Sequence, residues 1–155
     1  MKIIVVSDSH GSSYELKRIL DMHKNADVVV HCGDSRGEME NLKMIYKDKM
    51  YFEVKGNCDL GSTLPATLTF DLDGIRFFVT HGHLYNAKLT LYNLVCAAKE
   101  NSANVLLFGH THQSLCDYDD GLYIINPGSC SGYNATFAII ETHNGKILPN
   151  ILSIN

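Results

Sequence analysis

The chain has 155 residues, of which 45% are hydrophobic and 19% charged, with 13 Lys and Arg against 17 Asp and Glu. That length and apolar content suit one domain with a sizeable core, and the composition excludes wholesale disorder. A net charge of −4 lacks the basic footprint of a general nucleic-acid binder, though a small basic groove could hide in that average. No apolar run approaches the roughly 18 residues of a membrane span. The opening Met1-Lys2 and Ile3 to Val6 run is too short, and too soon broken by Ser7-Asp8, for a signal peptide, so the expected compartment is the cytoplasm.

Ile3 to Val6 predicts a buried strand, and Ser12 with Glu15 has the spacing of a capping box. A helix is expected from about Ser13 to Lys24, with Leu16, Ile19, Leu20 and His23 on its apolar face. Asp27 to Cys32 reads as a second strand and closes on Gly33-Asp34. A second helix, about Glu38 to Lys47, should turn Met39, Leu42, Ile45 and Tyr46 inward. Tyr51 to Val54 predicts a third strand ending at Gly56-Asn57. This alternation argues for parallel strands with right-handed crossovers.

After Asn57 the pattern changes. Leu68 to Leu72 and Ile75 to Thr80 flank Asp73-Gly74, a two-residue hairpin turn. A helix is expected over about Lys88 to Glu100, then a buried strand at Val105 to Phe108. Short strands follow near Leu122 to Ile125, Thr136 to Thr142 and Lys146 to Leu152. No linker divides the chain, so residues 1–155 read as one domain built from two packed sheets with helices outside. The five cysteines are odd in number and lack close pairing, which argues for reduced, mostly buried thiols rather than disulfides or a zinc ribbon.

Five of the eight histidines fall in Ser9-His10-Gly11, Thr80-His81-Gly82-His83 and Gly109-His110-Thr111-His112. Each polar cluster directly follows an apolar strand: Asp8 and His10 the first, Asp34 the second, Asn57 the third. His81 follows the hairpin strand, and His110 and His112 the strand at Phe108. In open α/β sheets the carboxyl ends of strands form the ligand crevice, so these side chains converge on one rim. Oxygen and imidazole donors without thiolate suit manganese, zinc, iron, cobalt or nickel. Seven such donors exceed one tetrahedral zinc and fit two metals sharing a carboxylate. Taken singly, Asp8, Asp34 or Asn57 would read as turn or cap residues; the ordered set is what argues for chemistry.

Asp8-x-His10, Gly33-Asp34, Gly56-Asn57, His81 and Gly109-His110-x-His112 resemble, in that order, the signature of the calcineurin-like metallophosphoesterases. The match runs from residue 3 to about residue 130. Gly56-Asn57-Cys58-Asp59 and Asn126-Pro127-Gly128-Ser129 look most like the small YfcE-type phosphodiesterase branch. The resemblance implies a four-layer α/β/β/α sandwich, two mixed β-sheets flanked by helices. It also implies two divalent ions, manganese first and nickel, zinc, iron or cobalt as alternatives. Asp8, His10 and His112 would hold one ion, Asn57, His81 and His110 the other, and Asp34 would bridge. Two divalent ions outweigh two aspartates and a bridging hydroxide, leaving a site of about +1 that draws in a phosphate ester. Attack of that hydroxide on phosphorus is the implied step, with Asp34 and Asn57 in the catalytic centre.

One position departs from the broader superfamily. Cys58 stands where many members carry a histidine that protonates the leaving oxygen, and a thiol is a poorer proton source. His83 is the candidate for that task or for a phosphate contact; a plain surface imidazole is the alternative. Arg36 reads as a solvated loop charge or a phosphate clamp. His23, His31 and His143 read as structural, and the remaining cysteines as core filling. Asn126 to Ser129 reads as a turn that the resemblance sets beside the metals as support. The rival is a scaffold, since the same small fold resembles the retromer subunit that uses it for protein binding. The expected partner is a small phosphate ester, not a membrane or nucleic acid; a homo-oligomer is compatible with the sequence.

Overall fold

The structure, a computed structural model, describes residues 1–154. Three parallel strands form one side of the molecule: β1 (Lys2–Val6), β2 (Val28–His31) and β3 (Met50–Glu53), connected by α1 (Ser13–Met22) and α2 (Met39–Ile45). The hairpin β4 (Thr67–Leu72) and β5 (Ile75–Thr80) follows, then a short 3-10 turn at His83–Tyr85, α3 (Tyr92–Glu100) and β6 (Val105–Leu107). The chain finishes with β7 (Leu115–Asp119), β8 (Leu122–Asn126), β9 (Thr136–His143) and β10 (Lys146–Ser153). Two mixed five-stranded sheets result, ordered β10-β9-β1-β2-β3 and β4-β5-β6-β8-β7.

The strand period of two builds the layers. Ile3, Val5, Val28 and Val30 face Phe77, Val79, Val105 and Leu107 across the space between the sheets. The alternate residues Ile4, Val6 and Val29 pack outward against Leu16, Ile19, Met39 and Leu42 of α1 and α2. On the opposite side Phe78 and Leu106 pack against Leu94 and Ala98 of α3. The expected α/β/β/α sandwich is therefore the fold. No described helix is long and apolar enough to cross a membrane.

Several expectations need correction. The first helix stops at Met22, and His23 caps it and packs on Phe137 with ring centroids 5.3 Å apart. Ser12 does reach Glu15, but its side chain makes no cap bond to the helix backbone. Ile45 is 60% exposed, because it lies about 90° around the helix from the centre of the stripe made by Met39 and Leu42. The third helix starts at Tyr92, not Lys88, since left-handed backbone at Gly82 and Asn86 breaks the preceding segment into turns. Strand β7 is additional to the expected strands; its Asp117 and Asp119 are exposed on a sheet edge, and its one sequence signal is the Asp120-Gly121 turn. All five cysteines are free, but only Cys32 and Cys130 are buried, and Cys116 is exposed.

His31, at the end of β2, is fully buried and structural, as expected. Its Nδ1 accepts the Gly33 N–H at 3.1 Å, so Nε2–H donates to Ser9 Oγ at 2.9 Å, and the Ser9 hydroxyl donates to Glu38. Burial pushes its pKa down from 6.5 to about 4, although Asp59 and Asp8 pull the other way. The folded state thus keeps His31 neutral where the unfolded chain takes up a proton. Its contribution is complete above the unfolded pKa and is lost as pH falls toward the folded one, about 3 kcal/mol in all. Urea unfolding of the metal-free protein should show this loss between about pH 7 and about pH 4. His31→Gln should lower stability at neutral pH yet flatten the slope; an unchanged slope would assign it to other groups.

Candidate metal centre

Five of the seven expected donors sit on left-handed backbone: Asp8 (φ 54°), His10 (φ 49°), Asp34 (φ 59°), His110 (φ 68°) and His112 (φ 58°). Non-glycine residues adopt this region rarely, and a cluster of them at strand ends marks strain held for a purpose. The turns after β1, β2 and β6 therefore bend sharply at these residues. Tight contacts fix the bend: Asp8 N–H donates to Gly33 O at 3.0 Å, His10 N–H to Asp34 O at 2.9 Å, and Gly109 N–H to His81 O at 3.1 Å. A Cβ at Gly109 would collide with Ser7 Oγ and Asp8, so only glycine lets the two sheets meet there.

Asp8 is wholly buried. Its Oδ2 accepts the Ser7 hydroxyl at 2.6 Å and the His110 N–H at 3.0 Å. Its Oδ1 has no hydrogen-bond partner among the described residues, an expensive condition for a buried carboxylate oxygen. What surrounds it is imidazole nitrogen: His112 Nε2 at 3.0 Å, His10 Nε2 at 3.8 Å and His81 Nε2 at 3.9 Å. The two nitrogens of His10 and His112 are 3.4 Å apart. A triangle with those edges has corners about 2 Å from its centre, the length of a zinc–nitrogen or zinc–oxygen bond.

A second group adjoins the first. His81, also fully buried, donates Nδ1–H to Cys32 O at 2.8 Å, which leaves the Nε2 lone pair facing inward. That nitrogen lies 3.1 Å from Asn57 Oδ1 and 3.4 Å from Asp34 Oδ2, a set of acceptors with no proton between them. Burial raises the pKa of Asp34, but the Cys58 N–H and the neighbouring His81 outweigh it and leave the carboxyl below its ordinary range. The donor atoms of Asp8, His10 and His112, and those of Asp8, Asp34 and His81, all lie within 4.8 Å of one another. The residues therefore fit divalent cations: anionic and imidazole acceptors converge with too few donors to satisfy them.

His110 joins no such trio; its ring lies 5.0 Å from that of His81. His83 stands farther out, 5.4 Å from His81 and 6.1 Å from His110, and its buried Nδ1 has no hydrogen-bond partner among the described residues. Burial, then His81, lowers the pKa of both His83 and His110. Cys58 places a sulfur near His10 and Asp34, within the same 4.8 Å, and burial and then Asp34 keep it a thiol by raising its pKa. Asn126 is wholly buried and donates to Gly109 O and Thr111 Oγ1, both at 3.0 Å, while Ser129 Oγ donates to Asp8 O at 2.9 Å. The Asn126 to Ser129 turn is thus a brace under the centre. His31 and Asp59 brace it too; from the sequence alone His31 was legible only as structural and Asp59 only as part of a motif.

The geometry agrees with the comparisons. Residues 1–145 match the model of the calcineurin-like phosphoesterase superfamily domain. The chain is 38% identical over 130 residues to a probable metallophosphoesterase, YsnB, of Bacillus subtilis, covering 83% of this chain and 75% of that protein. It is 30% identical over 168 residues to the phosphodiesterase YfcE of Escherichia coli K12, covering 91% and 88%. It is also 32% identical over 160 residues to vacuolar protein sorting-associated protein 29 of Schizosaccharomyces pombe, covering 98% and 83%. A solved predicted phosphoesterase from Streptococcus pneumoniae superposes with a TM-score of 0.83 at 29% identity, over 99% of this chain and 89% of that one. With its donors gathered at the strand ends and this match over nearly its whole length, the chain belongs to the calcineurin-like phosphoesterase superfamily.

Proposed function

We propose that the chain is a phosphodiesterase that works with two divalent ions, manganese first among them. Asp8, His10 and His112 would hold one ion, Asn57, His81 and His110 the other, and Asp34 both. The observation that carries this reading is the buried Asp8 Oδ1, free of hydrogen bonds and ringed by three imidazole nitrogens. The donors come from both sheets, which supports treating the chain as one functional domain. When bound, the ions would supply Lewis acidity, lowering the pKa of water from 15.7 toward ~7 and offsetting phosphoryl charge.

The remaining work belongs to the chain. Asp34 stays ionised because the Cys58 N–H donates to its Oδ1 at 2.7 Å. Cys32 O holds His81 in the tautomer whose Nε2 can accept. His83, neutral near pH 7 once its pKa is lowered, suits a hydrogen bond to a phosphoryl oxygen better than proton donation. Cys58, its pKa raised, is a weak acid for the departing oxygen. The centre should therefore favour esters whose leaving group departs without a proton. The phosphodiesterase name of a relative supports the diester reading, and the full donor set supports catalysis over the scaffold alternative suggested by the sorting protein.

Elemental analysis after manganese loading should find close to two ions per chain, and the loaded protein should cleave an activated aryl phosphodiester. Chelation should abolish cleavage, and manganese, nickel or cobalt should restore it. A loaded protein that cleaves neither diesters nor monoesters would make the scaffold the better reading. Asp34→Asn should cut hydrolysis by more than about 100-fold, beyond the usual cost of losing an outer partner, while circular dichroism stays native. Rates plotted against leaving-group pKa should fall steeply, since a general acid worth ~10²–10⁴-fold is missing. A flat plot would show that another group donates the proton.

A further inference from the structure

We propose that Asp59 is a positioning residue that locks the Asp34 turn and the Gly56-Asn57 turn into one frame. The proposal rests on the metal-site reading above, which gives both turns their task. Asp59 is 9% exposed and no salt bridge to it occurs among the described residues. Its carboxylate is satisfied by backbone instead. Oδ2 accepts the Asp34 N–H at 2.7 Å and the Gly56 N–H at 2.8 Å, and Oδ1 accepts the Arg36 N–H at 2.8 Å. Only the bond to Gly56 is local. The other two reach across 23 and 25 residues to the turn after β2, so a simple side-chain-capped turn does not describe the arrangement.

Two of the three donors are the left-handed non-glycine residues of that turn, Asp34 (φ 59°) and Arg36 (φ 56°). A charged acceptor pulling on both N–H groups holds the backbone in a region it would otherwise leave. The return bond completes a reciprocal pair: Asp59 takes the Asp34 N–H, and Asp34 Oδ1 takes the Cys58 N–H at 2.7 Å. The two turns approach so closely that a Cβ on Gly56 would strike the Asp34 carboxylate. Asp59 therefore fixes the distance between Asp34 and Asn57, whose oxygens lie 3.4 and 3.1 Å from His81 Nε2. Outer groups that orient ligands typically govern affinity by 10–100-fold.

The test uses the whole chain and manganese alone as the probe. Calorimetry should show manganese affinity falling about 10–100-fold in Asp59→Ala. The fall should be smaller in Asp59→Asn, whose remaining oxygen can still serve Asp34 and Gly56 while its amide faces the Arg36 N–H. In the metal-free protein, amide hydrogen exchange should quicken at Asp34, Arg36 and Gly56 in Asp59→Ala and chiefly at Arg36 in Asp59→Asn, with β1 and β9 unchanged. Hydrolysis lost at limiting manganese should return at saturating manganese, as a placement defect requires. Unchanged affinity and exchange in a folded variant would overturn the proposal, and so would exchange quickened evenly over the molecule. If the unmodified protein binds no manganese, the metal reading falls, while the exchange arm still decides whether Asp59 clamps the turns.

Discussion

The half-satisfied carboxylate of Asp8 is the constraint around which the rim is arranged. It stands where β1 runs out, between two sheets, and takes no water-facing position. One oxygen is tied to Ser7 and to the backbone of the His110 turn, which links the sheet of β1 to the sheet of β6. The other oxygen is left to the imidazoles. Burying an anion this way is costly unless a cation or several donors meet it, so the same feature that joins the sheets also demands a ligand.

The price is carried by the backbone. Left-handed conformations at Asp8, His10, Asp34, His110 and His112 each cost about 1–3 kcal/mol, large beside a net stability of about 5–15 kcal/mol. Such turns persist only when their surroundings leave no alternative. Here the surroundings are the inter-sheet core below and a ring of braces beside: Asn126 under the Gly109 turn, Ser129 and His31 beside the Asp8 turn, Asp59 between the Asp34 and Asn57 turns. These braces hold the turns in place without help from a ligand, which is what an electrostatic site needs.

The fold alone does not choose a chemistry. Relatives bearing the names of a phosphodiesterase and of a vacuolar sorting protein match this chain at similar identity. What separates the possible tasks is the donor set and its orientation. In this chain the ligand atoms of Asp8, His10 and His112, and those of Asp8, Asp34 and His81, gather in two adjoining groups.

The amino-acid order by itself determined the layers and set the candidate donors just past the strands. Uninterrupted apolar runs at Ile3 to Val6 and Val28 to Val30 call for a layer on each face of their sheet, and polar residues set just past each strand fall at its rim. Tertiary structure decided the rest, because it depends on contacts between distant residues. Ile45 shares the spacing of Met39 and Leu42 yet lies off their stripe, and the edge strand Leu115–Asp119, paired with β8 alone, carries no clear alternation. The left-handed turns, the bare oxygen of Asp8 and the reach of Asp59 to Asp34 and Arg36 leave no local pattern at all. They exist because two sheets close on each other and leave those backbones a single conformation.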